Sequence, residues 1–136
     1  MIRFTLPMIA VALAVAIACN ETPVEPTPEP TPQTVSENFS GTLTPNSART
    51  HTFTTPSSGS VTATLTEFGP DESLKVGLSL GTWNGSACQT VIANDLAVKG
   101  TTLRGSAGTA GTLCVRIYDV ATLSETATYT LLVVHP

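Results

Sequence analysis

Histidine, cysteine and tryptophan are scarce in this chain: two, three and one among 136 residues. No His or Cys pair stands at zinc-ligand spacing. No G-x-S-x-G context exists for a nucleophilic serine. Cys88 and Cys114 have no histidine near them in sequence, so neither reads as an activated thiol. His51 sits in a strand-like run next to Phe53 and reads as framework. His135 is the penultimate residue and is expected to be exposed. Basic residues are also few. Beyond Arg3 they are Arg49, Lys75, Lys99, Arg104 and Arg116, scattered along the chain. Phosphate-backbone binding needs clustered Lys and Arg, so nucleic acid is excluded as a partner.

The acids do not supply chemistry either. Asp71, Glu72, Asp95, Asp119 and Glu125 read as solvated turn residues. Glycoside chemistry would need two of them facing one cleft. Calcium would need six to eight oxygens, and too few acids stand together. The sequence therefore predicts no enzyme, no metal site and no cofactor.

What is present begins at the N-terminus. Residues 1–18 are apolar apart from Arg3 and Thr5, with small residues at the end, the pattern of a secretory signal. No other stretch is long and apolar enough to cross a bilayer. Ala16-Ile17-Ala18 precedes Cys19, and this arrangement resembles the bacterial lipoprotein signal. The resemblance implies cleavage before Cys19 and acylation of its sulfur. Ala16 stands where that family usually has Leu. Each buried CH₂ contributes ~0.8 kcal/mol, so two or three acyl chains would hold the protein firmly to the membrane. Asn20 lacks the Asp that favours inner-membrane retention in that family, which points to the outer membrane. Loss of residues 1–18 leaves five basic and ten acidic side chains, net −5 with neutral histidines.

A ladder of prolines follows at positions 23, 26, 28, 30 and 32, interleaved with Thr, Val and Glu. Such a tract forms neither a helix nor a central strand. It reads as a polyproline II spacer, rising ~3.1 Å per residue and reaching ~50 Å over residues 20–35. The predicted organisation is a signal over residues 1–18, a lipidated Cys19 with its linker over 19–35, and one domain over 36–136.

The domain is rich in Thr, Val, Leu, Gly and Ser, and strand-like runs alternate with turn residues. Eight strands are expected: NFSGTL, RTHTFTT, SVTATLTEF, LKVGLSL, QTVIA, VKGTTLRG, TLCVRIYDV and ATYTLLVVH. In the third, Val61, Ala63 and Leu65 share one face and Thr62, Thr64 and Thr66 the other. Asn84-Gly85 marks a hairpin. VKGTTLRG reads as an edge strand. The last strand is apolar on both faces and reads as central. The fold class is all-β, a single jelly-roll-like β-sandwich. With Cys19 acylated, Cys88 and Cys114 are left to pair, and export permits a disulfide. Two free buried thiols are the alternative. A bridge would stabilise by ~3.5 kcal/mol on the chain-entropy estimate.

The domain is similar to the bacterial pre-peptidase C-terminal (PPC) domain. The likeness rests on His51 with Phe53, the Gly-led strand after them, GTLCVRI over residues 111–117, and the terminal Tyr129-Thr130-Leu131. It spans nearly all of residues 39–136. Lys75 stands in GPDESLKVGLSL where family members often carry an Asp, so their calcium binding is not carried over. The resemblance implies a non-catalytic sandwich that serves substrate or surface binding. Trp83, the only tryptophan, abuts the Asn84-Gly85 turn. It can stack on a sugar or anchor a protein contact, or it can pack over the core end or the disulfide. Tyr118 carries the same ambiguity. Three functions follow in order. The first is an exported, lipid-anchored lipoprotein whose sandwich binds a polysaccharide or an extracellular protein. The second is a structural cell-envelope lipoprotein. The third is a hydrolase.

Overall fold

The computed structural model describes residues 22–136. Cys19 and the signal-like segment lie outside the described residues. Residues 22–30 carry no regular secondary structure, and all their side chains are exposed. The unit Thr31–Pro136 is all-β. Its strands are β1 Val35–Leu43, β2 Ala48–Thr55, β3 Gly59–Gly69, β4 Val76–Trp83, β5 Cys88–Ala97, β6 Thr102–Ala107, β7 Gly111–Tyr118 and β8 Ala127–His135.

The strands form two four-stranded sheets, β1-β8-β3-β6 and β2-β7-β4-β5, antiparallel throughout. This order is that of an eight-stranded jelly roll. All eight expected strands form. β6 is an edge and β8 is central, flanked by β1 and β3. β5 runs longer than QTVIA and is exposed on both faces along most of its length.

Alternation builds the core. Val61, Ala63 and Leu65 of β3 and Tyr129, Leu131 and Val133 of β8 point inward from one sheet. Phe53, Val76, Leu78, Leu80, Val115 and Ile117 meet them from the other. Full burial of each Leu, Ile or Val contributes roughly 1.5–3 kcal/mol before entropy is counted. Leu74 packs at the margin of this core.

His51, Tyr129 and His135 enter the interior with partners. His51 stacks on Phe39 at 4.9 Å between ring centroids, and its Nε2 lies 2.7 Å from the Tyr129 hydroxyl. Burial, then the Arg49 charge, lowers the His51 pKa. Burial raises that of Tyr129. The lowered pKa favours the neutral imidazole, and its Nε2 shares a hydrogen bond with the Tyr129 hydroxyl. Gly41 makes room for this pair, because a Cβ there would lie 2.7 Å from the Tyr129 oxygen.

His135 corrects the expectation of exposure. It is 2% exposed, with Nε2 2.8 Å from Glu37 Oε1 and Nδ1 2.8 Å from the Pro136 oxygen. The cause is alternation: position 135 shares the inward face of Tyr129, Leu131 and Val133.

Candidate binding face

The feature that separates the two sheets is the outer face of β2-β7-β4-β5. On β7, alternation turns Val115 and Ile117 inward and Cys114, Arg116 and Tyr118 outward. The facing outward positions of β4 are Gly77, Ser79 and Gly81, paired with Tyr118, Arg116 and Cys114 respectively. β4 thus offers a floor with almost no side chains.

Each small residue has a steric reason or leaves a trace. The Tyr118 ring lies flat over Gly77, where a Cβ would come within 2.0 Å of the ring. The Tyr118 hydroxyl donates to the Asp95 carboxylate on β5. Burial first, and then this hydrogen bond, push the Tyr118 pKa up to about 12. The Arg116 guanidinium carbon stands 5.4 Å from the centre of the Tyr118 ring, a cation–π distance. At Gly81 a Cβ would meet the Gln89 carbonyl oxygen at 2.1 Å. The β5 backbone therefore comes in over β4 there, where the β4–β5 register shifts between Leu80 and Gly81.

That approach brings Cys88 to Cys114. They form a disulfide with Cα atoms 5.8 Å apart, although β4 lies between their strands in the sheet order. The bridge sits outside the hydrophobic cluster, on the outer face. The Ser79 hydroxyl on the same floor is buried and has no hydrogen-bond partner among the described residues.

Two turns fix the rims. Trp83 ends β4 opposite Cys88 and is half-buried beside the disulfide. The turn after it is held by Asn84 Oδ1, which accepts from the Ser86 and Ala87 amides at 2.9 and 2.8 Å. Gly85 there has φ 100°, which glycine adopts without strain. At the other rim, Asp119 accepts from the amides of Asn46, Thr122 and Leu123 at 2.8, 3.0 and 3.1 Å. Burial pushes the Asp119 pKa up, but these bonds outweigh it and hold the group below its ordinary value.

Between the rims lie two open depressions that share Arg116. One, about 510 Å³, is lined by Thr50, Trp83, Ser86, Ala87, Cys88 and Arg116. The other, about 500 Å³, runs from Asn46–Ala48 past Arg116 and Tyr118 to Asp119. The structure thus places Trp83 and Tyr118 on one face, one on each side of Arg116. Arg116 was not singled out from sequence, although the alternation of TLCVRIYDV puts it with Cys114 and Tyr118.

The acids are placed differently. Asp95 lies within β5 rather than in a turn, which corrects the expectation for it. Asp71 caps its own turn through Ser73, and Glu72 pairs with Lys99 at 2.7 Å. Among the described residues no three His, Cys, Asp or Glu side chains are grouped to hold a metal ion. Both histidine rings are committed to Tyr129, Glu37 and Pro136, away from this face.

No protein-family model matches this chain, and no curated protein matches it. Solved structures similar to it include two from bacterial surfaces or envelopes. One is PliG of Aeromonas hydrophila, a periplasmic lysozyme inhibitor of g-type lysozyme. It has a TM-score of 0.50 and 13% identity over 74% of this chain and 84% of that one. Another comes from Bacillus endospore appendages, which form disulfide-linked pili. It has a TM-score of 0.38 and 9% identity over 84% of this chain and 97% of that one. At 13% identity the likeness to PliG is one of fold, and the two-sheet β-sandwich is what the chains share.

Proposed function

We propose that this protein is an exported binding module, non-catalytic and tethered to the bacterial cell envelope, with the outer face of β2-β7-β4-β5 as its binding face. The observation that carries the reading is the placement of Trp83, Arg116 and Tyr118 together over a floor built from glycine and a disulfide. Trp, Tyr and Arg are the residues that dominate binding hot spots. An aromatic ring beside hydroxyl groups equally suits a sugar. A protein ligand gains support from the shared fold with PliG, which inhibits g-type lysozyme.

The tether rests on the lipoprotein-like signal and on Cys19, followed by the proline spacer. Metabolic labelling with a palmitate analogue tests it. Label lost in Cys19→Ala supports acylation, and an unlabelled parent protein sinks it.

Trp83 is the sole tryptophan, so its fluorescence reports this face directly. The full chain in detergent is titrated with envelope and plant polysaccharides, matrix proteins and g-type lysozyme. A saturable shift that disappears in Trp83→Ala, with the far-UV spectrum unchanged, supports the reading. No response to any of these ligands, together with Trp83 emission that cannot be quenched, rejects it.

A further inference from the structure

The geometry points to a carboxylated saccharide as the ligand of this face, with its carboxylate on Arg116 and a sugar ring against Trp83. This inference rests on the binding-face reading and narrows it. Arg116 has no hydrogen-bond or ion-pair partner among the described residues, only the Tyr118 ring beside it. Its planar fork of donors matches a carboxylate bidentately. In the Trp83 depression it is the only charged residue, and the remaining polar side chains are the hydroxyls of Thr50 and Ser86.

The acids near Arg116 set a direction. Asp95 receives the Tyr118 hydroxyl, and Asp119 is occupied by three backbone amides. Asp119 lines the Tyr118 depression, and neither acid lines the Trp83 depression. An anion therefore fits on the Trp83 side of Arg116. On the other side the Asn46 side chain lines the second depression and suits the hydroxyls of a neighbouring ring. The whole chain carries net charge −4, so binding of a polyanion must come from this local arrangement and not from the overall field. A protein surface would also seek Trp, Tyr and Arg. The two open depressions sharing one cation favour successive rings of a chain.

The test compares oligogalacturonate with the same oligomer methyl-esterified, a pair that differs only in the anionic group. The full chain is titrated in detergent by Trp83 fluorescence and by calorimetry. The acid form is expected to bind about tenfold or more tightly than the ester. Arg116→Gln should abolish that ratio, and Trp83→Ala should weaken both forms. If acid and ester bind equally, the carboxylate assignment is overturned while the binding-face reading stands. If only a protein ligand binds, the saccharide assignment is overturned and the face remains. If nothing binds, both fall. Should Arg116→Gln fail to fold, the acid-to-ester ratio of the parent protein still decides.

Discussion

The two outer faces of the sandwich are built from opposite choices. On β1-β8-β3-β6 the outward positions are mostly Thr and Ser, and they satisfy one another. Ser40 and Thr130 lie 2.9 Å apart, Thr64 and Thr102 2.8 Å, and the Thr66 hydroxyl donates to the Thr130 carbonyl at 3.1 Å. Short Thr side chains suit a strand and keep this face low apart from Arg104 on the edge strand. On β2-β7-β4-β5 the central strand gives up its outward bulk so that Tyr118 and the start of β5 can fold over it. Both inner faces obey the same alternation, so the core does not explain the contrast. Two sterically required glycines and a cross-strand disulfide are spent on one face and none on the other. That asymmetry is what the proposed binding face rests on.

The contrast can be broken most severely at the bridge. Replacing Cys88 and Cys114 together by Ser should cost ~3.5 kcal/mol in urea denaturation, because the cross-link no longer restrains the unfolded chain. An unchanged midpoint would show that the bridge does not hold β5 down. Next comes the floor. Gly77→Ala places a methyl inside the Tyr118 ring position, so the ring must leave. A loss of about 1–3 kcal/mol is expected, as for other overpacked sites. Gly105→Ala on the other sheet, where the nearest atom is 3.7 Å away, should show far less.

Acid acts between the sheets. The folded His51 pKa lies below the ordinary 6.5, through burial and Arg49. The unfolded chain then takes up the proton first as pH falls. The His51 contribution is thus complete above about 6.5 and is lost as pH drops through the lower folded value. His51→Gln keeps a hydrogen-bonding partner for Tyr129 without a titrating ring. Its stability should fall less steeply than that of the parent between pH 7 and pH 5, and parallel curves would refute the assignment.

Smaller still is Thr64→Val on the hydroxyl face, expected to stay within about 0.5 kcal/mol. A larger loss would mean that the threonine ladder is not passive. The mildest measurement leaves stability untouched. Absorbance at alkaline pH should show Tyr118 ionising near 12, above the ordinary 10. Asp95→Asn should bring that transition down, since it removes the neighbouring negative charge.

The strands were legible because inward and outward residues alternate along β8 and through Val61–Leu65 of β3. The Cys88–Cys114 pairing was expected from export and from assigning Cys19 to the lipid anchor, and the bridge forms. The composition of the face was half legible. Trp83 stood out as the lone tryptophan, yet Arg116 lay in plain alternation with Tyr118 and was passed over. The burial of His135 was readable from the same period of two. The meeting of Asp95 with Tyr118 was not readable. It depends on register shifts between β4 and β5 at Val76/Leu78 and Leu80/Gly81. A bulge moves every later side chain on its strand, and nothing local in QTVIANDLA announces it.

The bridge lies on the face and outside the core, so the two are completed by different events. The interior needs only apolar burial and can assemble wherever the chain folds. The face needs an oxidant. A copy held in a reducing compartment would finish its inside while its surface stayed unclosed at the start of β5. On the proposed reading, oxidation is the step that completes the binding face, separately from the burial that completes the interior.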